Sequence, residues 1–500
     1  MTFRYQHGWA CLLLTAVVFA LYAPARRSSF CSYDDFLEIR RAALEDARQP
    51  DHMLTTTHFG SYKYRPLNRA INLLTYEWGR GSAEAFRFRN FLFHSLNVAL
   101  LYGIGVLLIG NTGAALCAAL LFAVHPLASP SVMGAVITNT AAHACILATV
   151  FIVLLVAGGT IRATWLAASG VLVLLSLLTY ESSVVVLGLG PLLLLLSPRG
   201  ARAWRVLWWQ LSVSVTAVAL WLAVRMLFMP AIAKSSHIAG LGAMFRSAAM
   251  YGLGLVMPVD IVLLNEWFGV PMPSQIHLSP VIVAVAALAS GAGLAGAVIA
   301  VGRVGARMSG DRLKVAGALA ISIGLLLAPV VVFAEHPSET YLYLPVGFFA
   351  LLVAHLAFPH VVGRRAALAA CSTVALLMIA GTSIRNARIR ECGATADRIL
   401  KQAIAQIDAS ATDRVILASW PAGPEPARYS VYGFHGLDTI GDGVSASAAV
   451  TSALQWRSGN PRIAARVVQP RDLLRACGPL DEASPLCAWV YPDGRLERAQ

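Results

Sequence analysis

Two adjacent carboxylates, Asp34 and Asp35, stand in the stretch Ser32-Tyr33-Asp34-Asp35-Phe36. A carboxylate can take the proton from an acceptor hydroxyl, and cationic side chains within reach can hold a departing phosphate. Lys63, Arg65, Arg69 and His125 are the candidate phosphate partners, and Arg225 is the most conspicuous basic residue inside an apolar run. Glu181, Glu335, His336 and Glu339 fall at the ends of other apolar runs. Each has a plainer reading beside the chemical one. The aspartate pair suits a solvated turn or a helix cap. Arg65 suits a side chain snorkelling to lipid headgroups, His125-Pro126 a helix end, and Glu181 an interfacial charge. Tyr341 is a further candidate substrate contact, and it, Tyr343 and Trp267 also suit aromatic anchors at a membrane–water boundary.

The elements that would position these groups are apolar. The chain has 500 residues, 57% hydrophobic and 13% charged, where soluble domains run near a quarter charged. The mean hydropathy is +0.65. The apolar excess is gathered into continuous runs long enough to cross a hydrocarbon core about 30 Å thick, and their continuity excludes a β-barrel. The fold class expected is therefore an all-α polytopic membrane protein. About eleven spans are predicted, near residues 9–23, 91–108, 114–124, 136–156, 166–178, 184–196, 206–228, 281–301, 315–333, 341–358 and 367–383. The first could mimic a signal peptide ending at Ala23-Pro24-Ala25, and is read as an uncleaved helix. Residues 248–264 are apolar but hold Pro258 and Asp260, and are read as re-entrant or interfacial.

Charge sets the orientation. The net charge of +13 comes with no nucleic-acid motif, and follows from short basic segments. Arg199, Arg202, Arg205, Arg303, Arg307, Arg312, Lys314, Arg364 and Arg365 face one acid, Asp311. The positive-inside rule puts these segments in the cytoplasm. The first loop, residues 25–89, then lies on the extracytoplasmic side of the inner membrane with His125, Glu181 and Glu339. Between Leu67 and Trp78 apolar residues recur at helical spacing, which predicts a helix along the membrane surface.

Residues 1–384 read as one membrane domain. Residues 385–500 are polar and read as a small extracytoplasmic α/β domain, with helices over 394–406 and 446–454 and a buried strand over 414–418. Cys477 and Cys487 in that domain form a candidate disulfide. No Cys/His spacing of a metal site is present, so no obligatory metal is expected, although carboxylates beside a phosphate could recruit a divalent ion.

Taken in order, Tyr33-Asp34-Asp35, Tyr64-Arg65-Pro66-Leu67, Phe93-His94 with Asn97, Phe122-Ala123-Val124-His125-Pro126, Thr179-Tyr180-Glu181 and Glu339-Thr340-Tyr341-Leu342-Tyr343-Leu344-Pro345 resemble the GT-C superfamily of membrane glycosyltransferases. The nearer resemblance is to the transmembrane O-mannosyltransferases that carry tetratricopeptide repeats, over about residues 10–360. The resemblance implies a polyprenyl-phosphate sugar donor, a protein or cell-envelope glycan acceptor, and inverting transfer with Asp34 as base. It also puts Glu181 and Glu339 on the family's acidic residues at outer helix ends. This chain departs from the family at Ala128-Ser129-Pro130, where an acid is usual, at Tyr180, where Lys is usual, and at Thr138-Asn139-Thr140-Ala141. It also lacks the repeats. The alternative readings are a transporter or lipid flippase, or a non-catalytic membrane scaffold.

Overall fold

The computed structural model describes residues 2–55, 64–196, 202–228, 240–256, 309–332, 338–358, 364–410, 412–419, 444–477, 485–491 and 495–499. Lys63, Trp267, Glu335, His336, the expected span at 281–301 and the end of the 248–264 segment lie outside the described residues.

The described chain is built mainly of helices. We label them α1 (Thr2–Tyr22), α2 (Tyr33–Arg41), α3 (Pro66–Gly79), α4 (Ala83–Ile109), α5 (Thr112–Val124), α6 (Asn139–Ala157) and α7 (Trp165–Thr179). They continue as α8 (Val186–Leu196), α9 (Arg202–Phe228), α10 (Leu241–Val256), α11 (Gly310–Val332), α12 (Tyr343–Ala357), α13 (Arg364–Ser410) and α14 (Val444–Ser458). In lipid, each helix satisfies its own backbone polar groups. Among the described residues, six helical segments, the last of them Glu339–Ala357, are long and apolar enough to cross a membrane. Residues 112–133 would form a seventh span, bent by 56°. Two shorter apolar helices cover Trp165–Thr179 and Glu181–Leu195. The chain is thus a polytopic helical membrane protein.

Local sequence explains the turns. Gly110 adopts φ 72° and ends α4, and the Asn111 side chain accepts from the Ala114 amide to start α5. Ser82 caps α4 in the same way. On α5, Ala114, Ala115, Ala118 and Ala119 are fully buried, and such small side chains let neighbouring backbones approach closely. The surface helix α3 is inside-out relative to a soluble one. Asn68, Arg69, Asn72 and Thr75 face the protein, while Leu74 and Trp78 are 69% and 65% exposed. That is the orientation a helix takes when its outer face meets lipid.

The bundle has two distinct ends. At one, His7 meets the Tyr102 hydroxyl and Arg312 donates to the His355 carbonyl. At the other, Arg87, fully buried, ties the carbonyls of Ser28 and Ser29 to that of Met133, and Asn386 donates to Leu21 O at 3.0 Å. This second end carries α2 and the residues of interest.

Helix α13 runs for 47 residues without a break, through the expected boundary at 384. It joins the apolar bundle to a four-stranded sheet of order β2-β1-β3-β4, with β1 Arg414–Ser419, β2 Ala464–Val467, β3 Leu486–Val490 and β4 Leu496–Arg498. Strand β1 is parallel to β2 and β3, and β4 is antiparallel to β3. Both faces of β1 are covered, Val415 and Leu417 on one side and Ile416 and Ala418 on the other. That is why its sequence is a continuous apolar run. Cys477 and Cys487 are disulfide-bonded, Cα–Cα 6.1 Å. Helix α14 docks this domain onto α2. Trp456 meets Phe30 edge-on at 5.4 Å, and Arg40 hydrogen-bonds Gln455.

Candidate functional site

The two aspartates occupy the first turn of α2 and are treated differently by the fold. Ser32 is the N-cap, and its hydroxyl accepts from the Asp35 amide at 3.0 Å. The Asp35 carboxylate reaches back, its Oδ2 accepting from the amides of Ser32 and Cys31 at 3.2 and 3.3 Å. Its Oδ1 accepts from the Val136 amide at 3.3 Å. This is a capping box with an added tertiary contact, and Asp35 is 1% exposed. Asp34, one residue earlier, is exposed. The helix-cap reading therefore describes Asp35, and Asp34 is the carboxylate of the two that lies at the surface.

A buried polar layer fixes α2 in place. Glu38 accepts from Arg41 at 2.9 Å and from Asn72 at 3.2 Å. Asn72 in turn accepts from Arg89 at 2.8 Å. Burial pushes the Glu38 carboxyl up, against the opposing pull of Arg41 and Asn72.

The expected phosphate partners are distributed unequally. Arg65 precedes Pro66, which starts α3, and grips Glu181 with two bonds of 2.6 and 2.7 Å. Its guanidinium carbon lies 4.6 Å over the Tyr180 ring. The pair is partly exposed, 12% for Arg65 and 26% for Glu181. Arg69 was expected beside a phosphate. It is instead 2% exposed, bonded to the Asp46 carboxylate and donating to His52 O at 2.8 Å. A guanidinium so enclosed holds the first loop together. His125 is also buried, its Nδ1 accepting from the Leu127 amide at 3.2 Å, so it caps the bend before Pro126. Arg225 is half-buried in the last turns of α9, 5.5 Å from the centre of the Trp221 ring. One turn on, Phe228 stacks on Tyr64, the neighbour of Arg65.

Glu339 starts the short helical turn before α12 and pairs with Arg385 at 2.5 and 3.0 Å, both side chains 3% exposed. Arg385 also donates to Pro126 O at 3.1 Å. This clamp ties α12, α13 and the bent span together. Tyr341 is partly exposed and lines a hollow with Tyr180, Ser182, Thr340 and His143. Among the described residues, no cluster of three or more His, Cys, Asp or Glu side chains could hold a metal.

Sequence reasoning missed Arg385, His143 and the use of Tyr180 as a platform for Arg65. Arg385 had a usable signal, because it is the first charged residue after a long apolar run. His143 had none beyond being a lone histidine in such a run.

No family model matches the chain, and no curated protein matches it. Three solved structures illustrate what it is similar to. The oligosaccharyltransferase of Archaeoglobus fulgidus in the apo form matches 83% of this chain and 62% of its own, at 13% identity and a TM-score of 0.44. The arabinofuranosyltransferase AftD from Mycobacteria matches 83% of this chain and 30% of its own, at 16% identity and 0.45. ArnT from Cupriavidus metallidurans in the apo state matches 95% of each chain, at 15% identity and 0.43. The chain spans about three fifths of the archaeal oligosaccharyltransferase it matches. At these scores the likeness assigns no residue a role, and the reading below rests on the side chains.

Proposed function

We propose that the protein is an integral membrane glycosyltransferase. It transfers a sugar from a polyprenyl-phosphate donor to a hydroxyl of a protein or cell-envelope glycan, with inversion, on the extracytoplasmic side of the inner membrane. The observation that carries this reading is a pairing at one end of an apolar bundle. An exposed carboxylate, Asp34, stands on a helix whose neighbour Asp35 is immobilised, and at that same end a part-exposed guanidinium, Arg65, lies over the Tyr180 ring.

In this reading Asp34 takes the proton of the acceptor hydroxyl. The hydroxyl oxygen forms a bond to the anomeric carbon as the bond from that carbon to the phosphate oxygen breaks. The electron pair leaves with the polyprenyl phosphate, and a single displacement inverts the anomeric centre. Arg65 offers the planar, two-pronged donor set that matches a phosphate. Glu181 keeps that cation paired and oriented while no phosphate is bound. Glu339 and Arg385 act one step back, fixing the bend at Pro126. A donor with one phosphate needs no metal to leave, and we assign none.

The test is reconstitution of the purified full chain with polyprenyl-phosphate sugars and an acceptor extract, with mass spectrometry of envelope glycans and glycoproteins from a deletion strain. Transfer that requires Asp34 and alters a glycan in the deletion strain supports the reading. Flux of lipid or sugar across vesicles with no covalent product would replace it with the transporter reading.

A further inference from the structure

Helix α2 carries Asp34 on only nine residues. A helix shorter than about 12 residues is marginal in water by itself, so packing has to fix its position. Three separate elements hold the chain around its start. Arg87 of α4 donates to the carbonyls of Ser28 and Ser29. Gly393 of α13 comes so close that a Cβ there would sit 2.8 Å from the Ser29 carbonyl oxygen. The third element is α14, from the far end of the chain. Its Trp456 meets Phe30 edge-on at 5.4 Å and Phe36 at 6.3 Å, and those two rings lie 6.5 Å apart. The three rings close on one another, and the two phenylalanines bracket the capping box of Ser32 and Asp35 in the chain. Gln455, the residue before Trp456, accepts from Arg40 in the last turn of α2. Its amide group donates to Pro461 O at 2.9 Å and Ile463 O at 2.7 Å, in the connection to β2. Arg457, the residue after, donates to Asp397 of α13 at 3.2 Å. Helix α14 therefore grips both ends of α2 and is itself fastened to α13 and to the loop before β2.

We infer that Trp456 is a positioning residue for the transfer reaction, fixing Asp34 through the ring pair Phe30 and Phe36. This rests on Asp34 being the base, as proposed above. Asp34 lies between the two gripped phenylalanines in the chain, so any tilt of the first turn of α2 carries its carboxylate along. Edge-on and tilted ring contacts are directional, so the indole sets the angle of that turn as well as its depth. Both phenylalanines are buried, 3% and 0% exposed, and removal of the indole would leave a gap into which they could shift. The α/β domain is then part of the frame of the site. It holds the base in place from outside the membrane, while Arg65 is held by Glu181 and Tyr180 within the bundle.

The experiment uses the full chain in nanodiscs as Trp456→Ala, Trp456→Phe, Asp34→Asn and the Asp34→Asn, Trp456→Ala double variant. Should Trp456→Ala not fold, Trp456→Leu takes its place. Transfer is read with undecaprenyl phosphate carrying a hexose or a pentose, and an acceptor extract. Misplacing a reacting group by about 1 Å costs up to about a hundredfold. Trp456→Ala should lower kcat about tenfold or more, with donor KM within about twofold of wild type because Arg65 is untouched. Trp456→Phe, which keeps a ring, should recover most of that loss. In the Asp34→Asn background, Trp456→Ala should cost less than about twofold further, because it acts through the missing carboxylate. A purely structural residue would instead lower the folded fraction and add its loss to that of Asp34→Asn. Hydrogen exchange gives a reading that needs no activity. The amides of Cys31, Ser32, Asp35 and Phe36 are paired by the cap and should exchange faster in Trp456→Ala, while those of α6 and α7 should not. Unchanged kcat, additive losses, or wild-type exchange at those four amides would overturn the inference. Failure of the reading beneath it looks different. Asp34→Asn transferring at the wild-type rate, or a wild type that forms no product, would remove the base or the donor and this inference with it, even if the exchange result shows α2 held by Trp456.

Discussion

The split between Asp34 and Asp35 gives the sharpest test of the reasoning. Both are changed to Asn, one at a time, which removes the charge and keeps the size. Asp35 accepts three backbone amides with its two oxygens and is 1% exposed. An asparagine has one oxygen and would turn its NH2 toward one or two of those amides, leaving buried donors facing a donor. The three bonds are long, 3.2–3.3 Å, so each is set at the low end of the charged range. A loss of about 2–4 kcal/mol follows for Asp35→Asn. Asp34 is exposed in the same helical turn, and its substitution should barely move stability. As the proposed base, however, it should take away about a hundredfold or more of the transfer rate. The assay pairs the apparent melting temperature of each variant in detergent with transfer from the undecaprenyl-phosphate hexose and pentose panel. Asp35→Asn melting together with the wild type would refute the anchoring role. Asp34→Asn transferring at the wild-type rate would refute the base.

Three further expectations follow from the ion pairs and the buried layer. Arg65→Lys keeps the charge but cannot make the two-pronged contact with a phosphate, so donor KM should rise severalfold with a smaller change in kcat. A drop in kcat alone would point to another role. Glu339→Gln strands the Arg385 charge in a 3% exposed site and should cost about 3–5 kcal/mol. The Glu339→Met, Arg385→Met double variant should recover much of that loss in the same melting assay, because no unpaired charge remains. Burial raises the Glu38 carboxyl in the folded state, so the fold binds that proton more tightly than the unfolded chain does. The stability this contributes is full below the ordinary carboxylate range and is lost as pH rises through the raised value. Melting temperatures of wild type and Glu38→Gln from about pH 4 to about pH 7 should show the wild type losing ground relative to the variant as pH rises. Parallel curves would argue against it.

Much of the architecture was legible before any coordinate, because it is written in local patterns. Long apolar runs name helices in a membrane, and a Gly-Asn turn names the reversal between α4 and α5. The apolar run at 414–418 named β1, and the cysteines at 477 and 487 named their own link. What local pattern cannot carry is the choice of partner. Arg65 and Arg69 sit four residues apart on one segment, with the same side chain. Only the tertiary fold sends the first to Glu181, 116 residues away, and buries the second on Asp46. Likewise Asp35, three residues after Ser32, is placed locally for the capping box, but its contact with the amide of Val136, arriving from another part of the chain, is made only by the fold. The surface helix α3 shows the same limit. Its periodicity announces two faces, and the protein that packs beneath it decides that the polar one turns inward. Hydrophobic length and turn chemistry act between near neighbours and can be read along a string. Pairing of charges and burial of amides are settled by which distant segments the fold brings together, and so appear only in three dimensions.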